Sequence, residues 1–176
     1  MKAERILSVC AIMIAILSLF VSVYGSYQSR LHYRLSIKPA LQVIFYADDV
    51  WEGFQLKSSG LGPGIIKWIE VLLDGKPQRS WEEVMEKLNI QLTEKYSINS
   101  IYPKDVYKPN EVTNLFVLKN NLKGRALRKY SKRIKINICY CSFYDECWLA
   151  SNDIGENNSV GCAFSSGVLF RNLSLF

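Results

Sequence analysis

Ile134-Lys135-Ile136-Asn137-Ile138-Cys139-Tyr140-Cys141 alternates without a break, and Ser142-Phe143-Tyr144 follows it. Successive side chains of an extended strand point to opposite faces. Ile134, Ile136, Ile138 and Tyr140 therefore share one face. Arg133, Lys135, Asn137, Cys139 and Cys141 share the other. A helix, with its 3.6-residue period, would mix the two sets, so the spacing predicts a half-buried strand.

The same texture extends on both sides. Ala40 to Tyr46 and Gly53 to Lys57 are strand candidates separated by a turn at Asp48-Asp49. Ser58-Ser59-Gly60-Leu61-Gly62-Pro63-Gly64 reads as a bend, in which Pro63 presets one turn position and Gly64 tolerates positive φ at the next. Ile65 to Leu73 is a long strand candidate, and Asp74-Gly75 after it has the composition of a hairpin turn. Tyr96 to Tyr102, Glu111 to Lys119, Cys147 to Ala150 and Gly161 to Phe170 complete the set. One helix interrupts it. Ser80 and Glu83 have the capping-box spacing, and Trp81, Val84, Met85 and Leu88 form a helical stripe opposite Glu82, Glu83, Glu86 and Lys87. Ser80 to Leu88 is thus a short amphipathic helix, its stripe assigned to core packing in preference to a partner groove. Roughly seven short strands with frequent turns predict a mainly β fold, an immunoglobulin-like β-sandwich with one short inserted helix.

The first thirty residues differ in kind. Ile6 to Tyr24 is almost wholly apolar, and no charged residue occurs from Ile6 to Ser29. About 20 helical residues cross a hydrocarbon core of roughly 30 Å, and a helix satisfies its own backbone there. Tyr24 and Tyr27 fall where an interfacial aromatic belt would lie. The competing reading is a cleaved signal peptide, but the apolar run exceeds the roughly 7–15 residues of a signal h-region. The expected organisation is a tail and transmembrane helix over 1–29, a basic stem over 30–39 and a sandwich domain over 40–176. Lys2 and Arg5 on one flank balance Arg30, Arg34 and Lys38 on the other, so positive charge does not set the orientation.

Several short motifs carry a resemblance. They are Leu35-Ser36-Ile37-Lys38-Pro39, then Ser59-Gly60-Leu61-Gly62-Pro63-Gly64-Ile65-Ile66, then Asp74-Gly75-Lys76. Cys139-Tyr140-Cys141-Ser142 and Cys147-Trp148 follow. In this order the chain resembles uncharacterised bacterial single-span membrane proteins with a C-terminal immunoglobulin-like β-sandwich. The resemblance covers most of the chain and implies fold and anchorage; no activity comes with it.

Cys10 lies in the apolar run and acts there as a small hydrophobe. Cys139, Cys141, Cys147 and Cys162 cluster in the last quarter of the chain. An even number behind an export-type segment suggests disulfides. Cys139 and Cys141, on one strand face, cannot easily bond each other and are expected to reach Cys147 or Cys162, with the pairing left open. Four thiolates on zinc are the sharper alternative, although C-x-C fits the usual C-x2–4-C knuckles poorly. Four unpaired thiols are the plainer one. The disulfide reading places the domain on the periplasmic or extracellular side of the cell (inner) membrane, where such bonds persist.

The net charge is +6, and it is uneven. Lys119, Lys123, Arg125, Arg128, Lys129, Lys132, Arg133 and Lys135 occur with no acid among them. Such a cluster attracts anions. Candidate partners, besides the lipid bilayer itself, are anionic lipid headgroups, a cell-wall polymer or an acidic protein. Nucleic acid is not expected, since no recognition motif and no aromatic beyond Tyr130 accompanies the cations. The plainer reading is a solvated connection between strands with one helical turn through Leu122, Ala126, Leu127 and Tyr130.

Nothing points to catalysis. His32 is the one histidine and sits in the stem. Asp48 and Asp49 are neighbours in a turn and do not form a carboxylate dyad by spacing. Gly60-x-Gly62-Pro63-Gly64 lacks the Lys-Ser/Thr of a phosphate loop, and no G-x-S-x-G elbow occurs. The expectation is a membrane-anchored, non-enzymatic binding or assembly module with no cofactor and no metal. The alternative is a membrane-acting effector or stress-response component whose span oligomerises or perturbs the bilayer.

Overall fold

The structure, a computed structural model, describes residues 2–90, 92, 96–119, 126–153, 162 and 170. The chain divides into two compact units, Met1–Ile37 and Lys38–Phe176.

The first unit is one helix, α1 (Lys2–Ser36). Its Ala3–Ser36 stretch is long and apolar enough to span a membrane; its most apolar window has mean hydropathy 2.8 and is wholly unburied by protein. Ser8 and Ser18 donate their hydroxyls to the carbonyls of Glu4 and Ile14 at 3.0 and 2.8 Å, so these polar groups are satisfied within the helix. The helix runs on through Arg30 to Ser36 and takes in most of the segment that charge marks as a stem. Pro39 explains where it ends, because the residue before a proline is disfavoured in the helical region.

The second unit is sheet-rich. In chain order its elements are β1 (Leu41–Ala47), β2 (Trp51–Ser58), β3 (Gly64–Leu73), β4 (Lys76–Gln78), α2 (Trp81–Lys87), β5 (Tyr96–Ser97) and β6 (Val106–Tyr107). These are followed by β7 (Val112–Lys119), α3 (Ala126–Tyr130), a 3-10 turn (Ser131–Arg133), β8 (Ile134–Cys141) and β9 (Cys147–Ser151). One antiparallel sheet has the order β1-β2-β7-β5. The other has the order β4-β3-β8-β9, with β6 beside β3. The alternating segment that opens the sequence reading is β8, at the centre of the second sheet. Ile134, Ile136, Ile138 and Tyr140 are buried as its pattern requires.

Both sheets contribute to one core. Phe54, Leu56 and Phe116 come from the first; Ile69, Val71, Ile136 and Ile138 come from the second. The inserted helix closes this core. Ser80 accepts the Glu83 amide at 3.4 Å, and the Glu83 carboxylate accepts the Arg79 amide at 2.7 Å. The box is therefore displaced by one residue, with Arg79 in place of the cap itself. The capped helix drives Trp81 between Phe54 and Phe116, at centroid distances of 6.1 and 4.9 Å. Burying a side chain of this size contributes about 2–3 kcal/mol or more.

The turns hold one surprise. Asp74 and Gly75 have φ of 51° and 78°, the paired left-handed geometry of a type I′ hairpin. Gly64 does not adopt positive φ; it starts β3, where an added Cβ would press on Leu41 and Tyr140. Gly60 is needed for space too. A Cβ there would lie 2.7 Å from the Lys38 carbonyl oxygen, so the bend packs backbone to backbone against Lys38–Ala40. Of Tyr96 to Tyr102 only Tyr96–Ser97 is strand. The chain then turns where Asp105 accepts the Tyr102 amide at 2.7 Å, and the unforeseen β6 pairs with Gly64 and Ile65. The expected strand over Gly161 to Phe170 lies outside the described residues except for Cys162 and Phe170.

Candidate functional site

Strand register sorts the domain into two poles. Leu41 pairs with Ser58, Ile65 with Cys141, and Cys141 with Cys147. The chain thus begins at Lys38 beside the Ser58–Gly64 bend and the 142–146 hairpin. Ala47 pairs with Glu52 and Leu73 with Ile134, so the Asp48–Val50 and Asp74–Gly75 turns, α3 and Arg133 share the opposite pole. An eight-residue strand such as β8 separates them by about 25 Å. Most of the sequence-predicted cations therefore lie at the pole away from the point where the chain enters the domain.

The attachment of this basic segment rests on a residue the sequence reading missed. Glu52 is buried on β2, and its two carboxylate oxygens accept the Leu127 and Arg128 amides at 2.8 and 3.2 Å. These are first-turn amides of α3, which have no partner inside the helix. A carboxylate there also meets the positive end of the helix. Leu127 is fully buried beneath it. The signal was present in the pattern: Glu52 has the same strand parity as Phe54 and Leu56, which marks it as an inward carboxylate.

The cations divide by what they touch. Arg133 donates to Asp74 through Nε at 2.9 Å and a terminal nitrogen at 2.6 Å. That bond holds the Asp74 carboxyl below the usual carboxylate range and raises the Arg133 guanidinium. Lys135 pairs with Asp153 at 3.5 Å. Arg128, Lys129 and Lys132 are exposed and make no ion pair among the described residues. Lys129 and Arg133 lie 5.6 and 5.5 Å from the Tyr130 ring centroid, which fixes the local layout of charge. A shallow cleft of about 590 Å³ opens between Phe45, the Asp74–Gly75 turn, Lys132–Lys135 and Asp153. It is lined by both signs of charge. Lys123 and Arg125 lie outside the described residues.

The sulfur residues gather elsewhere, on the outer face of the second sheet. Cys139 is joined to Cys162 and Cys141 to Cys147, with Cα separations of 5.6 and 4.0 Å. Cys141 and Cys147 are direct cross-strand partners next to the Ser142–Glu146 backbone bond, a close-spaced position of the ladder. Cys139 and Cys141 do share a face with Lys135 and Asn137, yet both are fully buried, because Cys162 lies over this end of the sheet and accepts the Trp68 indole N–H at 3.3 Å. Beside them Asn137 donates to buried Glu70 at 3.1 Å. The other oxygens of this pair, Glu70 Oε1 and Asn137 Oδ1, are buried and meet no donor among the described residues.

Compared with known families and with curated proteins, the chain matches no family model and no curated relative. The geometry must carry the reading alone. His32 lies exposed on α1, remote in sequence from either cluster, and Asp48 is occupied as a turn former that accepts the Val50 and Trp51 amides.

Proposed function

We propose that the protein is a single-pass membrane protein whose immunoglobulin-like β-sandwich serves as a non-enzymatic binding module on the outer side of the cell membrane. Its uncommitted cations meet an acidic partner. The observation that carries this reading is the pairing of a wholly unburied apolar helix with a domain that has its own core. A helix of that composition left in water would expose a continuous apolar surface, which lipid covers at no cost. The two disulfides support an oxidising compartment.

Arg128, Lys129 and Lys132 are the residues assigned to the partner, because Arg133 and Lys135 are already paired with acids of their own domain. Their pole is opposite the Lys38 end of the domain. The site is a surface and not a pocket: its charge steers and orients, and it fades with salt.

The test uses the full chain in discs of neutral lipid with soluble poly-glutamate as the probe. Binding that weakens with added salt and falls about tenfold or more in the Arg128→Gln/Lys129→Gln/Lys132→Gln variant is expected. Equal binding by the variant removes the basic pole from the function. Discs of anionic lipid that abolish poly-glutamate binding would shift the reading to headgroups.

A further inference from the structure

The four distal cysteines do more than form two separate crosslinks. The sulfurs of Cys139, Cys141 and Cys162 all lie within 4.8 Å of one another, and the fourth, of Cys147, is bonded to that of Cys141. Two disulfides from three chain segments thus make one sulfur cluster. We propose that this cluster is a two-state site, a pair of disulfides when oxidised and a four-thiolate zinc site when reduced.

The chemistry balances simply. Each disulfide takes two electrons and two protons from an external dithiol, which leaves as its own disulfide; the chain then holds four thiols. One Zn2+ displaces the four thiol protons and accepts four sulfur ligands. Zinc binds sulfur at about 2.3 Å in a tetrahedron, which sets sulfur–sulfur distances near 3.8 Å. Reduction lets the bonded sulfurs move apart to that distance, and those of Cys139, Cys141 and Cys162, none more than 4.8 Å from another, draw in by at most about 1 Å. Cys139 and Cys141 are fixed by the ladder of β8, with both sulfurs on one face. Cys147 starts β9 directly opposite Cys141, and Cys162 is tied to Cys139.

Burial supplies the reason for a metal. Cys139 and Cys141 have no solvent exposure, and a buried thiolate without a counter-charge is disfavoured. A divalent ion offsets half of the charge of four thiolates and keeps the same three segments joined.

The experiment takes the full chain in detergent, reduced with a phosphine under anaerobic conditions, with Co2+ as the spectroscopic probe. One equivalent of Co2+ is expected to produce thiolate-to-cobalt charge-transfer absorption and the visible bands of a tetrahedral site. An equivalent of Zn2+ should bleach both. Cys10→Ser should leave the spectrum unchanged, and Cys147→Ser or Cys162→Ser should weaken it. The air-oxidised chain should give none. Absence of the bands in the reduced chain overturns the proposal, as does a spectrum that survives Cys139→Ser/Cys141→Ser. Should reduction unfold the chain, the titration still reads out, because zinc-site formation drives folding; a circular dichroism signal not restored by Zn2+ also counts against it. None of these outcomes depends on the poly-glutamate test.

Discussion

The two poles of the domain are held together by different physics. At the Lys38 end the main joints are backbone and covalent, beside one exposed Lys67–Asp145 pair at 4.0 Å. Ser59 donates to the Ala40 carbonyl at 2.8 Å, Gly60 fits against the Lys38 carbonyl, and Cys141 is bonded to Cys147. At the basic end the joints are ionic: Glu52 on the α3 amides, Asp74 on Arg133, and Asp153 on Lys135. A pole built from hydrogen-bonded backbone and crosslinks is insensitive to salt and pH. The Asp74–Arg133 pair at the other pole is responsive to both. The domain is therefore crosslinked at its Lys38 end and electrostatically adjustable at its basic end.

The largest expected effect lies at the covalent end. Cys139→Ser/Cys162→Ser opens a crosslink with a sequence separation of 23 residues. By loop-closure entropy this costs about 3 kcal/mol, and the Cys141–Cys147 bond, closing a much shorter loop, about 2 kcal/mol. Denaturant titration of the oxidised full chain checks both. Equal losses would mean that loop length does not govern these crosslinks.

Next in size is Glu52→Ala at the ionic end. It leaves two α3 amides without acceptors in a buried setting, at about 1–3 kcal/mol. It should also raise amide exchange at Leu127 and Arg128 while leaving β3 and β8 protected. If the exchange change spreads evenly to the Lys38 end, the two poles are not separable in the way drawn above.

How much of this could be read beforehand differs by element. β8 was legible because its alternation is unbroken and its inner face carries three isoleucines. The Asp74-Gly75 hairpin was legible because that pair tolerates left-handed φ at both positions. α2 was legible from its cap and stripe. The continuation of α1 through Arg30–Ser36 was not, since charged residues mark a membrane boundary without ending a helix. The burial of Cys139 and Cys141 depends on Cys162, which is distant in sequence and joined to them only through the fold. The neutralisation of Arg133 by Asp74 arises because β3 and β8 pair in register from Leu73–Ile134 onward. Sequence alone shows the run of cations but not the acids that another strand brings to it.

The smallest expected effect is a pH response that the basic pole shows and the Lys38 pole does not. Asp74 is lowered by its bond to Arg133, and Asp48 by the Trp51 and Val50 amides. Both carboxyls are below their unfolded values of about 4. Their contribution is complete above that range and is lost as pH falls through the depressed folded values. Amide exchange at Val50 and Trp51 should rise in acid while Ser59 and Gly60 stay constant. A uniform rise at both ends would contradict the division.

The membrane anchor is tested most directly by alkaline extraction of membranes from expressing cells, followed by the intact mass of the recovered chain. The expected result is a chain in the membrane pellet whose mass includes Ile6–Tyr24. A freely soluble chain whose mass begins beyond Gly25 would show that the apolar helix is removed, and the anchored module would not exist.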